Sequence, residues 1–593
     1  MKLPRINVEN ALWVLVFLLA LGVRLLNLGT RPLSDFEASW ALQALSIFPD
    51  GSNVEPIPPG PQPGPIALTG FLFYLLGSSN GLARFIPALA GTLLCLTPYF
   101  FRMRFGRLAA LIFAFGLALD PGLVAVSRIA GGPMPALGFG LFGLGLLAGQ
   151  HTVWAGISLG LALLSGPALL YGMVILAITW LITRLLEIPG WILRTEPLIR
   201  LPDRKRLLWL ILASAGTIIL VGTLFGYFPQ GLGAWISALP AYLSGWLNPL
   251  GVPPARLLTV LLFYAPAALL FGLGGLIYSW VKKSYPYQWL SIWLLIALAF
   301  ALIYPGRQLS DLVWALVPLW GLASLLLSEY LPVRREQRWL VAVQAVVVFI
   351  LMAILGVNLT GFNQPVPVPN QEVLRWLVLG GLLILAVLTT LLVGLGWSWD
   401  AGVRGLVWGV TAALVLYGLS GMWSSTQPVE SQVAAIWNPS PLVSDADLLR
   451  KTIEDLSTWS TGRKETIAIV AAVDSPSMRW FLRKFPNARI TTDQQNFTAE
   501  ESVPIVITYK TEEDPTLAAA YRGQDFAWRV SPEWAGALPA NVPVWMVYRQ
   551  IPEVKEEVIL WGRADLFPGV TLGQEQQSGT PIEPENPDIE IQE

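Results

Sequence analysis

The chain has 593 residues, of which 54% are hydrophobic and 13% charged, at a mean hydropathy of +0.58, a composition that excludes a soluble globular protein. The net charge of −1 averages two unlike parts: residues 1–422 carry 24 basic and 14 acidic side chains, and residues 423–593 carry 14 and 25. The second part is therefore an acidic aqueous segment with no basic surface suited to nucleic acid.

A helix that crosses the roughly 30 Å hydrocarbon core needs about 20 apolar residues, because its backbone N–H and C=O groups must be satisfied internally. About thirteen such runs are predicted between residues 11 and 422. The first, Ala11 to Leu28, follows basic residues without a cleavage site and reads as a retained signal anchor. A long loop, about 30–80, comes next. It holds Arg31-Pro32-Leu33-Ser34-Asp35-Phe36-Glu37-Ala38, a helical-looking stretch, the Pro-Gly run Pro56 to Pro65, and an apolar segment, 66–76, too short to span comfortably. Further spans are predicted at about 82–101, 108–119, 134–149, 153–168, 170–186, 208–226, 257–281, 289–304, 312–330, 339–357, 373–396 and 405–422. Glycines at 138, 140, 143, 145 and 149 would let a neighbouring helix approach closely. Lys and Arg cluster in alternate loops, 17 of the 24 falling on one side; this predicts a plasma-membrane protein with a cytoplasmic amino terminus and the carboxyl-terminal part outside. Cys95 is the one cysteine and His151 the one histidine, so an intramolecular disulfide is impossible and histidine-based metal or triad chemistry nearly so.

After Trp423 the density of charge rises to that of an aqueous domain. A helix capped by Ser444 or Asp445 should run to about Trp459 and another from Ser477 to Phe485. Strands are predicted at Thr466–Val473, Pro504–Tyr509, Val542–Arg549 and Val558–Trp561. The fold class expected is thus a polytopic α-helical membrane domain, residues 1–422, followed by an extracytoplasmic α/β domain, 423–572. The last stretch, 573–593, has six acidic residues and no basic one and reads as a disordered tail.

Ionisable groups near membrane depth are costly and mark function or paired structural roles. On the predicted outer side these are Asp35 and Glu37, Arg24, Arg84, Asp120, Arg128, Arg256, Arg307, Asp311 and Arg375. Carboxylates there could accept a proton and guanidiniums could clamp a phosphate. The bland readings are a solvated loop or helix cap for Asp35 and Glu37, headgroup anchoring for Arg128 and Arg307, a helix-end ion pair for Arg307 with Asp311, and an anchored span for Arg84.

The order of residues resembles the GT-C glycosyltransferases of the protein O-mannosyltransferase and aminoarabinose-transferase type, in the bacterial branch with a carboxyl-terminal soluble domain. The resemblance is carried by Arg24-Leu25-Leu26-Asn27-Leu28, Arg31-Pro32-Leu33, Asp35-Phe36-Glu37-Ala38, Gly60 to Pro65, Gly81 to Gly91, Phe105-Gly106-Arg107, Asp120-Pro121-Gly122 and Ser127-Arg128. It covers residues 10–150 well and the rest of the membrane part weakly. It implies a polyprenyl-phosphate-linked sugar as donor, membrane lipids as surroundings, an active site at the outer face, and a first-loop carboxylate as general base, Asp35 or Glu37. Arg128, Arg307, Arg84 and Asp311 would bind the lipid phosphate and sugar. Such a transfer requires no metal in principle, the phosphate leaving on arginine charge, and leaves a divalent cation open. The chain departs from the family in three places: Phe36 splits the acidic pair, Gly131-Gly132-Pro133 stands where a second aspartate is common, and Gln62 lies near the position of a frequent histidine. Those departures give the alternative, a catalytically degenerate relative acting as a lipid-sugar-binding or scaffold membrane protein. A transporter fits less well, since the middles of the spans are nearly free of ionisable groups.

Overall fold

The computed structural model describes residues 7–48, 57–186, 202–249, 251–363, 371–427, 436–491, 503–511, 515–517, 519–534, 539, 542–548 and 550–567. The stretch 573–593, read as a tail from its composition, lies outside them. The chain forms two compact units. The first comprises 1–446 together with 475–481 and 527–556; the second comprises 447–474, 482–526 and 557–593.

The first unit is helical: α1 Val8–Leu25, α2 Asp35–Leu45, α3 Pro63–Leu76, α4 Asn80–Leu94, α5 Thr97–Phe105, α6 Arg107–Leu119, α7 Pro121–Ser127, α8 Met134–Ala148, α9 Thr152–Leu163 and α10 Pro167–Leu185. After these come α11 Arg204–Gly222, α12 Gln230–Ile236, α13 Ala238–Leu247, α14 Pro254–Tyr264, α15 Pro266–Val281, α16 Tyr285–Ile303, α17 Val313–Tyr330, α18 Arg338–Thr360, α19 Gln371–Gly396 and α20 Trp399–Thr426. Among the described residues nine helical segments are long and apolar enough to cross a membrane, or eleven if the bent pairs α6–α7 and α14–α15 each count as one span. The bends, 56° and 97°, fall where Pro121 and Pro266 open the second member; proline lacks the N–H that the preceding turn would need. The two remaining runs predicted as spans form α8 and α9, of 15 and 12 residues. At 1.5 Å per residue each is roughly 18–23 Å long, short of a full hydrocarbon core. Their glycines serve close packing, as at Gly138, where a methyl group would collide with the backbone of Ala90 on α4. The core of the unit runs through α1, α6, α8 and α14–α17, with Trp314, Tyr264 and Leu94 almost fully enclosed.

The carboxyl-terminal segments of this unit add β1 Leu442–Val443, antiparallel to the last part of β5 Tyr521–Pro532, and the short helix α23 Val542–Tyr548. Of the run Val542–Arg549, which the sequence predicts as a strand, Val542–Tyr548 form this helix instead. Pro543 suits a first helical turn and not a ladder, and Val544 and Trp545 turn inward.

The second unit holds most of α21 Ala446–Thr461, then β2 Ile469–Ala471, the end of α22 Pro476–Leu482, β3 Ala488–Ile490, β4 Ile505–Tyr509 and most of β6 Glu553–Arg563. β2 lies parallel to both β3 and β4, and β4 pairs antiparallel with β6 in the register Ile507 to Leu560. Ile469 and Ala471 of β2 are buried and Val470 between them half-buried, and the amphipathic α21 buries Leu449, Ile453 and Leu456.

Candidate functional site

The loop after α1 ends at Ser34, whose hydroxyl caps α2 by accepting the Glu37 N–H while the Glu37 carboxylate accepts the Ser34 N–H. This reciprocal cap satisfies two otherwise orphaned donors and turns Glu37 back into the protein. There Arg84 of α4 grips both carboxylate oxygens, Nε to Oε1 at 2.6 Å and Nη2 to Oε2 at 2.7 Å. The rest of the guanidinium donates to the carbonyls of Leu28, Arg31 and Pro32, and the Ala130 N–H adds a bond to Oε1. Glu37 is completely buried. Burial alone would raise its carboxyl, but the charge and hydrogen bonds of Arg84, with Arg31 and the Ser34 N–H, hold it down at about 2. Glu37 therefore locks the first loop, α4 and the segment after α7 together.

Asp35 stands in different surroundings on the same helical turn. Its side chain is 20% exposed and meets Arg529 Nη2 at 2.7 Å through Oδ2, while Oδ1 accepts the Ser477 N–H at 3.0 Å. Each carboxylate oxygen keeps a further lone pair. The segment after α20 lies alongside: Asn438 Oδ1 accepts the Ser34 hydroxyl, and Ser440 Oγ accepts the Phe36 N–H.

The arginines sort by what they hold. Arg128 donates to the carbonyls of Val23, Arg24, Leu26 and Asn27, closing the end of α1. Arg24 donates to Ala20, Leu117 and Ala118, joining α1 to α6. Arg307 is bonded to the carbonyls of Leu302 and Tyr304 and to that of Val252 in the segment before α14, and Asp311 caps the Gln308 N–H, so both are committed to backbone groups. Asp120 accepts the Leu123 N–H and the Trp320 indole. Arg31 differs: it is 7% exposed, its Nε has no partner, and no hydrogen bond leads from its guanidinium to a described residue. Burial lowers it to about 10, and the like charge of Arg84 adds to that against the pull of Glu37. Arg128 is lowered as well, by burial and then by the charges of Arg31, Arg84 and Arg24. Among the described residues, the carboxylates beside these four buried guanidiniums are Glu37 and, next to Arg24, Asp120.

The structure accordingly brings Glu37, Arg84 and Arg128 into one charged cluster, leaves Asp35 at its margin, and bonds Arg307 and Asp311 elsewhere. Arg31 enters the sequence reading only as part of Arg31-Pro32-Leu33 and not as a candidate; its nearness to the acidic pair is the signal that could have found it. Arg529 and Asn438 carry none. No group of three or more His, Cys, Asp or Glu able to hold a metal occurs among the described residues.

No family model matches the chain, and no curated protein does. Among solved structures it is similar to ArnT from Cupriavidus metallidurans bound to undecaprenyl phosphate, at 15% identity over 93% of this chain and 98% of that one, with a TM-score of 0.48. The apo state of the same protein gives 16% identity, 79% and 84% coverage and 0.46. The Archaeoglobus fulgidus oligosaccharyltransferase in complex with zinc and sulfate gives 15%, 84% and 68%, and 0.38. By its own helices, nine to eleven of which among the described residues are long and apolar enough to cross a membrane, the chain is a polytopic helical membrane protein.

Proposed function

We propose that this protein transfers a sugar from a polyprenyl-phosphate donor to an acceptor at the outer face of the plasma membrane, with Asp35 as general base. The observation that carries the reading is the excess of buried positive charge around the first loop, with one guanidinium, Arg31, lacking a hydrogen-bond partner among the described residues. An unpaired buried cation is costly, and an anion beside it removes the cost. The lipid phosphate is such an anion. Arg31 would hold it directly, and Arg84 and Arg128, though bonded to the protein, would add their fields.

Asp35 would take the proton of the acceptor hydroxyl on a lone pair that Arg529 and Ser477 leave open. The acceptor oxygen would bond to the anomeric carbon as the bond from that carbon to the phosphate oxygen breaks, and the electron pair would leave with the lipid phosphate. A positioned base contributes about 10² to 10⁴ in rate. The basic clusters of the alternate loops support the orientation. The test uses membranes containing the full chain and a polyprenyl-phosphate-linked sugar. Asp35→Asn should cut transfer by about 10² or more while leaving the melting temperature within a degree or two. Unaltered transfer by the folded variant sinks the assignment.

A second reading, a degenerate relative that binds the lipid-linked sugar without turnover, is favoured by the commitment of Glu37, Arg84, Arg128 and Arg307 to protein partners. It predicts donor binding without transfer in the native protein, and no effect of Asp35→Asn on that binding.

A further inference from the structure

A cavity of about 190 Å³ opens within the first unit, between α14, the turn at Gln308 and the segments 436–441 and 531–534. At roughly 30 Å³ per water it has room for about six waters or one sugar ring.

Its wall is rich in uncharged hydrogen-bonding groups that the protein leaves unused. Asn438 is 8% exposed, and its buried Nδ2 has no partner. The amide cannot turn over to relieve it, because Oδ1 accepts both the Ser440 N–H and the Ser34 hydroxyl. Ser440 Oγ accepts the Phe36 N–H, and no described residue takes its own hydrogen. The half-buried Ser531 hydroxyl and the side-chain nitrogen of Gln308 likewise meet no partner among the described residues. Charge gives the wall no single sign. Arg256 lies 4.5 Å from the centre of the Trp534 ring, and the exposed Glu533 stands between the lining residues Pro532 and Trp534. Buried donors in native proteins are nearly always satisfied, so amides and hydroxyls gathered round one small cavity mark a place for several neutral oxygens. A pyranose carries such oxygens on a ring of that bulk.

The same wall is tied to the first loop. Asn438 holds Ser34 and Ser440 holds Phe36, the residues on either side of Asp35. The guanidiniums assigned above to the lipid phosphate, those of Arg31, Arg84 and Arg128, do not line it. We infer that this cavity is the subsite for the acceptor, and that the acceptor presents a sugar ring recognised through its hydroxyls by Gln308, Asn438, Ser440 and Ser531. The inference rests on the transfer reading with Asp35 as base, and it names the chemical class of the acceptor.

The full-length protein in lipid nanodiscs is titrated calorimetrically with methyl glucoside, methyl galactoside and methyl mannoside. Cyclohexylmethanol serves as the ring without that set of hydroxyls. At least one glycoside should bind at least tenfold more tightly than the alcohol, since a site built for hydroxyls rejects an analogue that lacks them. The affinity should stay within about twofold when the protein is first saturated with the C-glucosyl phosphonate analogue of the polyprenyl donor, which cannot transfer its sugar. Ser531→Ala and Gln308→Leu remove donors that no described residue uses, so both should melt as the native protein does. Each should weaken glycoside binding about threefold to tenfold. Asn438→Leu should weaken it about tenfold, and the first two variants decide the matter if that one does not fold. Glycosides bound no more tightly than cyclohexylmethanol, or binding unchanged in the folded variants, overturns the site. Loss of glycoside binding once the donor analogue is in place gives the cavity to the donor's sugar and overturns the acceptor assignment. None of these readouts involves turnover, so their failure is distinct from unaltered transfer by Asp35→Asn, which sinks the base and leaves the binding result standing.

Discussion

Asp35 and Glu37 lie two residues apart, yet one is held by an exposed-edge arginine and the other by a buried one. The difference sets what each can do. With its oxygens occupied by Arg84, Ser34 and Ala130, Glu37 cannot lose its partner cheaply; removing one member of a buried pair costs about 3–5 kcal/mol. Its folded carboxyl titrates near 2 against an ordinary value of 4.5. Its stabilising contribution is therefore complete above about pH 4.5 and is lost progressively as pH falls toward 2. Thermal melting in detergent between pH 5 and pH 3 should show this decline in the native protein. Glu37→Gln should start several degrees lower and show a flatter profile, and an equally steep profile in the variant would assign the acid sensitivity elsewhere. Arg31 predicts the opposite balance. Because its charge is buried without a hydrogen-bond partner, Arg31→Gln should leave stability unchanged or raise it, while the apparent KM for the lipid donor rises about tenfold or more. A large fall in melting temperature would make Arg31 a structural group. The sequence placed both acids and most of these arginines beside one another on the first loop and its neighbouring spans. Which acid is locked depended on Arg84, 47 residues away, and no local pattern reports that.

At the scale of the elements, apolar runs of about twenty residues were legible because lipid imposes length and backbone self-satisfaction. The breaks were less so. Residues 257–281 read as one span, whereas Pro266 turns the chain by 97° between α14 and α15. Hydropathy measures composition over a window and is blind to direction. The packing beyond the turn rests on small residues: a methyl group on Gly275 of α15 would collide with the carbonyl oxygen of Leu322 on α17, a backbone atom that cannot rotate aside. Gly275→Ala should therefore destabilise the helical unit by about 1–3 kcal/mol despite the better helix propensity of alanine. A gain in melting temperature, as propensity alone would give, would show that α15 and α17 separate easily.

For the molecule as a whole, composition marked a boundary near residue 422, where charge density changes, and the α/β character of the carboxyl-terminal part was readable from its strands. Compactness divides the chain differently, because 475–481 and 527–556 belong with the membrane-associated unit. A few side chains fasten these segments. Arg529 pairs with Asp35, Trp480 donates to Asn80, and Trp545 packs edge-on against Phe263. Such long-range anchors have no periodic signature, so a domain edge drawn from average polarity passes them by. Arg529 also pairs with Glu556, so its charge sits between two carboxylates of the same unit. Replacing it with glutamine removes both pairs and leaves Asp35 with the Ser477 N–H. Hydrogen exchange on the full chain should then quicken at the amides of 527–530, while strand β4, paired in the second unit through residues 505–509, keeps its protection. Equal loss of protection in β4 would mean that the two units unfold as one and that the Asp35–Arg529 pair stabilises both.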